Sequence, residues 1–140
     1  MSSLVSVCIT TFNRKELLWL TLKSILDQTY KNIEIIIVDD CSIDGTQFLV
    51  ENEILKLDPR IKYIRHTENN GLAFARNTAI FNAKGKYFTF CDDDDLLMPN
   101  YIEEFMNEAS MHDDNWSFCC SGKYKNFLGT YIETSFQYEG

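Results

Sequence analysis

The sequence predicts an α/β domain built on a mostly parallel sheet, and three observations carry that expectation. Short apolar runs with little polar interruption recur at residues 4–11, 33–40 and 87–91, as in strands buried on both faces. The segments between them carry apolar residues at helical spacing. Strand and helix alternate along the chain, which calls for parallel strands joined by right-handed crossovers.

The elements follow in order. Leu4 to Thr11 reads as the first strand. Asn13 is expected to cap a helix in which Leu17, Leu18, Leu22, Ile25 and Leu26 share one side. "IEIIIVDD", residues 33–40, is a second buried strand, and "CSIDGT" a turn in which Gly45 supplies positive φ. Thr46 to Leu57 reads as one helix ended by Asp58-Pro59. Ile61 to Arg65 is a third strand, followed by the polar loop "HTENNG". Leu72 to Ala83 is a helix, "AKGK" a turn, and Tyr87 to Cys91 a fourth strand. A short helix is expected after Pro99, and Trp116 to Ser121 reads as a fifth strand.

Length and composition narrow the classes. A chain of 140 residues suits one compact domain with a real core. Its net charge of −8 argues against a binder of nucleic-acid backbone, which needs a basic face. No apolar run approaches the roughly 20 residues that span a bilayer. The start, "MSSLVSVCITTFNRK", lacks a basic n-region and a small-residue cleavage site. The five cysteines (Cys8, Cys41, Cys91, Cys119 and Cys120) are odd in number and form no C-x-x-C pair. A reduced, cytoplasmic setting is the expectation that fits.

In open α/β sheets, ligands bind beyond the carboxyl ends of the strands. "TTFNR", the pair Asp39-Asp40 and the run Asp92-Asp93-Asp94-Asp95 all fall at that edge. Two carboxylates about 4 Å apart repel by roughly 4 kcal/mol at an effective dielectric near 20, so four in a row need a counter-charge or open water. One reading is a solvated acidic turn that caps the following helix. The other is that Asp92 and Asp94, alternating at a rigid strand end, share one Mg²⁺ or Mn²⁺ whose remaining positions take phosphate oxygens. Asp39-Asp40 either caps the next loop or accepts a hydrogen bond from a base or sugar. Arg76, on the third helix, is either a solvated charge or a partner for the aspartates or a phosphate. Phe12 reads as core or as a stacking platform. His66 and His112 stand alone, and nothing in the sequence marks them as metal ligands or bases.

Taken together, "VSVCITTFNRKELLWLTLKSILDQTY", "IEIIIVDDCSIDGT", "ENNGLAFARNTAI" and "YFTFCDDDDLLMP" resemble the family 2 glycosyltransferases, over about residues 4 to 105. The resemblance implies the GT-A nucleotide-sugar-binding fold, as a single donor-binding domain over residues 1–140. It places Thr10 and Phe12 in the loop lining the nucleotide site and gives Asp40 the hydrogen bond to the base, typically uracil. Arg76 matches the arginine of the family's "aRN" helix. Asp92 and Asp94 match the ends of the D-x-D motif, Asp94 coordinating Mn²⁺ or Mg²⁺ and Asp92 or Asp93 lying nearer the ribose or a metal-bound water. The implied reaction moves a sugar from a nucleoside diphosphate sugar, UDP-linked above all, to a carbohydrate or lipid-linked acceptor hydroxyl, with inversion. It belongs to polysaccharide biosynthesis in the cytoplasm, with peripheral association at the inner face of the membrane.

Inversion needs a carboxylate base, and in the family that base lies well after D-x-D. Only 45 residues follow Asp95, and the late acids Asp113, Asp114, Glu133 and Glu139 sit in no matching motif. The acceptor-binding half and its base are therefore expected outside this chain. The aromatic-rich tail "WSFCCSGKYKNFLGTYIETSFQY" reads equally as a hairpin finishing the core or as surface for that half, and homo-oligomerisation is one way to seal it.

Two rivals share part of the pattern. A phosphatase of the haloacid-dehalogenase type also carries D-x-D after a strand, but on an early strand and with Thr or Val where Leu96 stands. A receiver-like signalling module wants paired acids after strand one, where this chain has Thr10-Thr11.

Overall fold

The computed structural model describes residues 2–111 and the backbone of 122–125 and 131–134. Four strands, β1 (Val5–Thr11), β2 (Ile33–Asp39), β3 (Ile61–Arg65) and β4 (Tyr87–Asp92), form one parallel sheet in the order β3-β2-β1-β4. All residues of β1 and β2 are buried. These central strands are covered on both faces, which is why they lack the polar alternation of a half-exposed strand. A receiver-like order sets strand three beside strand one; here β1 lies between β2 and β4, and β3 flanks β2.

Helices α1 (Lys15–Leu26), α2 (Thr46–Leu49), α3 (Leu55–Leu57) and α4 (Leu72–Asn82) supply the other layers, and α5 (Tyr101–Ala109) follows the acidic run. Leu18, Leu22 and Ile25 are the buried stripe of α1. On α4, Ala75 and Ala79 pack against Cys8, Ile36 and Val38 of the sheet. Their small side chains let the helix lie close over β1 and β2. The single helix expected over 46–57 is broken in geometry, because Val50–Ile54 between α2 and α3 is a π-helical segment. The fifth strand expected at 116–121 lies outside the described residues.

Asn13 does not cap α1. It sits at φ 54°, and its side-chain oxygen accepts from the Ile43 amide at 2.8 Å. The first-turn amide of Lys15 is instead satisfied by Asp44, whose Oδ2 accepts it at 3.1 Å. The cap thus comes from the β2–α2 loop, where no local sequence pattern would reveal it.

Two polar knots hold the ends of the sheet. At the amino end, Glu34 of β2 accepts from Ser6 Oγ at 2.6 Å, from the Lys84 amide at 2.5 Å and from Lys62 Nζ. The turn before β4 is thereby tied to β1 and β2. Gly85 in that turn is a packing requirement, since a Cβ there would meet the Ser6 amide at 2.7 Å. Beyond the carboxyl end, the buried Gln28 donates to the Met98 carbonyl at 2.7 Å and accepts from the Ile102 amide at 3.0 Å. Thr21 Oγ1 adds a bond to the Asp95 carbonyl at 2.8 Å. The chain leaving the acidic run is therefore pinned to α1.

Contacts divide the chain into two compact units, Met1–Glu103 and Glu104–Gly140. The first holds the parallel sheet. The second contains an antiparallel pair, β5 (Gly122–Lys125) with β6 (Tyr131–Thr134). Among the described residues no helix is long and apolar enough to cross a membrane.

Candidate functional site

A cavity of about 390 Å³ opens at the carboxyl ends of β1, β2 and β4. Thr10, Phe12, Asp40, Asp92, Asp93 and Asp94 all line it. The sheet register accounts for this convergence. Thr10 pairs with Asp92 across β1 and β4, and Thr11 with Asp39 across β1 and β2. Three loops distant in sequence therefore leave the sheet at one level. Phe12 is 44% exposed, so it belongs to the mouth of the cavity and not to the core.

The four aspartates take different directions. Asp92 and Asp94 face outward, with side chains 50% and 48% exposed, whereas the Asp93 side chain is 7% exposed. Asp93 accepts from Thr11 Oγ1 at 2.7 Å and from Arg14 Nη1 at 3.2 Å. The same Arg14 nitrogen donates to Asp94 Oδ2 at 3.0 Å. Arg76, expected near the acids, donates to Asp92 Oδ1 at 2.9 Å and lies over the Phe90 ring, 5.2 Å from its centroid. The amide of Asp95 donates to the Asp92 carbonyl at 3.0 Å and closes a turn. Burial, reinforced by the charges of Asp92, Asp94 and Asp93, pushes the Asp95 carboxyl above its ordinary pKa. The repulsion is thus shared between two arginines, one buried hydroxyl partner and open water.

Asp92 and Asp94 are hard oxygen donors on a half-exposed edge, which suits Mg²⁺ or Mn²⁺. Among the described residues, no group of three or more His, Cys, Asp or Glu side chains is arranged to hold a metal ion. Asp92 and Asp94 are the residues that would hold such a cation, and a site with so few protein carboxylates is common for Mg²⁺.

The adjacent acids Asp39 and Asp40 also part company. Asp39 is fully buried and accepts from the Ser42 amide at 2.8 Å and the Tyr63 hydroxyl at 2.6 Å. It is a turn-forming residue. Asp40 reaches the cavity. Its Oδ1 accepts from His66 Nδ1 at 2.8 Å and the Asn70 amide at 3.0 Å, and its Oδ2 from the Gly71 amide at 2.7 Å. Burial pushes this carboxyl up, but the Asn70 amide, His66 and the Gly71 amide outweigh it and hold the group below its ordinary pKa. Gly71 makes its bond from φ 85°.

Sequence reasoning missed Arg14 and His66. Arg14 ends "TTFNR", a stretch already placed at this edge, so a cation beside the acids was the available signal. The signal for His66 was its position one residue beyond the end of β3. With Asp39 paired to Arg65, the next rung places His66 level with Asp40.

A family model matches this edge and most of the chain: residues 6–137 fit the glycosyl transferase family 2 model, and the chain belongs to that family. Among its relatives is an Escherichia coli enzyme named UDP-Glc:alpha-D-GlcNAc-diphosphoundecaprenol beta-1,3-glucosyltransferase. It is 48% identical over 99 residues, which cover 71% of this chain and 38% of that protein. Among solved structures, S. aureus TarS in complex with UDP-GlcNAc superposes with a TM-score of 0.70 at 29% identity, over 77% of this chain and 31% of that one. A mannosyltransferase from Pyrobaculum calidifontis, in complex with GDP-Man and Mn²⁺, superposes with a TM-score of 0.65 at 29% identity, over 75% of this chain and 31% of that one. The α/β sheet and its flanking helices are therefore of the expected GT-A type. The chain spans less than half the length of the curated relatives it matches.

Proposed function

We propose that this chain is the donor-binding portion of a metal-dependent glycosyltransferase acting on a nucleoside diphosphate sugar, with UDP as the nucleotide. The observation that carries the reading is one cavity with Asp40 on one wall and the outward pair Asp92 and Asp94 on another. A base at the first wall and a diphosphate at the second are a natural match for that spacing of functions.

The hydrogen-bond count at Asp40 supports uracil. A carboxylate has about four acceptor sites, and three are taken by His66, Asn70 and Gly71. What remains is one site on Oδ2, which suits the single imide N–H of uracil or thymine. Guanine presents two adjacent N–H donors and would leave one of them unpaired. In this reading Thr10 and Phe12 line the nucleotide pocket, and Phe12 offers a face to the base.

Asp94 and Asp92 are the residues that would hold Mn²⁺ or Mg²⁺, because Asp93 is turned inward onto Thr11 and Arg14. When bound, the cation supplies charge neutralisation on the diphosphate oxygens. Arg76 and Arg14, which pair with the acids, are then available to phosphate oxygens. The sugar goes to a carbohydrate or lipid-linked hydroxyl with inversion, an acceptor class supported by the name of the E. coli relative. In this reading the whole enzyme works at the cytoplasmic side of the membrane.

Calorimetry with UDP, GDP and dTDP, each with and without Mn²⁺, tests the reading. UDP should bind tightly only with the metal, and Asp94→Asn should weaken it by about tenfold or more, the loss of one charged contact. Metal-independent affinity, or full affinity in Asp94→Asn, would contradict the assignment. Asp40→Ala should lose the preference for UDP over GDP; unchanged selectivity would retire its role with the base.

A further inference from the structure

The geometry points to His66 as the residue that positions Asp40 to read the base, an inference that rests on the nucleotide reading above. His66 follows β3, and its amide donates to the Asp39 carbonyl at 2.9 Å, which extends the sheet by one rung beside Asp40. Its side chain is 9% exposed, and the ring meets Phe74 edge-on with centroids 5.1 Å apart. Both ring nitrogens are engaged. Nδ1 lies 2.8 Å from Asp40 Oδ1 and Nε2 lies 3.0 Å from Thr78 Oγ1.

An ionised carboxylate only accepts, so Nδ1 carries the hydrogen that bonds Asp40. Nε2 meets the Thr78 hydroxyl, whose single hydrogen also has the Phe74 carbonyl within reach at 3.1 Å. Thr78 and Phe74 both belong to α4, so the imidazole links the Asp40 carboxylate to a rigid helix. The other two donors to Asp40, the Asn70 and Gly71 amides, come from the loop that lines the cavity. Without His66, Asp40 would be held by that loop alone, and loop and carboxylate would drift together. His66 is thus a positioning residue: it touches no ligand, but it sets where the last free acceptor site of Asp40 points.

The test compares His66→Leu with His66→Asn in the 140-residue chain. Asparagine can place an amide N–H near the position of Nδ1, whereas leucine fills the space without a donor. His66→Leu should weaken UDP binding in the presence of Mn²⁺ by about tenfold or more, the range for a lost hydrogen bond to a charged group. His66→Asn should stay within about threefold of wild type, retaining the donor. Without any ligand, amide hydrogen exchange at Asn70 and Gly71 should speed up in His66→Leu and not in His66→Asn. Wild-type UDP affinity in His66→Leu, or equal weakening in both variants, would overturn the inference.

The exchange measurement separates the two readings. If the wild-type chain binds no UDP, the nucleotide assignment fails, while protected Asn70 and Gly71 amides in His66→Leu would show independently that the imidazole does not hold the loop. Should His66→Leu fail to fold, Thr78→Val removes the partner of Nε2, together with the hydroxyl's bond to the Phe74 carbonyl within α4. It should weaken UDP by about threefold, the scale of one neutral hydrogen bond, and an unchanged affinity there would also count against the inference.

Discussion

Within the acidic run, neighbouring aspartates take different directions because β4 ends at Asp92 and the chain turns through Asp93 and Asp94. Asp92 and Asp94 are half exposed, while Asp93 is turned back onto Thr11 and Arg14. That Asp92 and Asp94 are alternate acids was legible in the sequence. The partner of the inward acid was not, since Arg14 lies 79 residues away along the chain. Arg14 is half exposed, so solvent screening limits what its ion pair contributes. A double-mutant cycle on Arg14→Gln and Asp93→Asn, followed by urea denaturation, should give a coupling of about 1 kcal/mol. Strictly additive effects would show that Thr11 alone satisfies Asp93.

At the level of elements, the order of strands and helices in the first unit was readable because the central strands are mostly apolar and the longer helices carry a spaced stripe. What joins the elements was less so. Gln28 reads in sequence as a polar residue at the end of α1, yet it is fully buried and bonds to Ser24, Met98 and Ile102. Its amide is the clamp that fixes the segment leaving the acidic run. Gln28→Ala strands the Ile102 amide, leaves the Met98 carbonyl with the Tyr101 amide as its remaining donor, and opens a small void. The expected loss is about 2 kcal/mol, from one buried group left unpaired at roughly 1–3 kcal/mol. A urea midpoint within error of wild type would mean that water replaces the amide. The α1 cap teaches the same lesson, because the acceptor for Lys15 is Asp44 of another loop and not the adjacent Asn13.

For the whole molecule, the carboxylates set the response to acid. Hydrogen bonds outweigh burial at Glu34, Asp40 and Asp44, and Arg60 leads at Asp58, so all four are held below their ordinary values of 4.5 for Glu and 3.8 for Asp. Each binds protons more weakly folded than unfolded. Their stabilisation is therefore complete above the unfolded values and is lost as pH falls through the depressed folded ones. Asp95, pushed upward by burial and its acidic neighbours, works in the opposite direction and offsets part of this. The urea midpoint should fall as pH is lowered from about 5 to about 2. A midpoint that held or rose over that range would mean that relief of the net charge of −8 dominates.

The sequence by itself determined the α/β class, the strand ends at which the polar side chains gather, and the four motifs that identify a family 2 glycosyltransferase. Those features are local: burial on both faces, helical spacing and alternation are written in neighbouring residues. Only the tertiary structure decided which acid faces which partner. Asp40 with His66, Asp93 with Arg14 and Asp44 with Lys15 each join residues 26 to 79 positions apart. Such pairs depend on sheet register and on which loops leave the sheet at one level. Those are properties of the assembled strands, and no single stretch of sequence contains them.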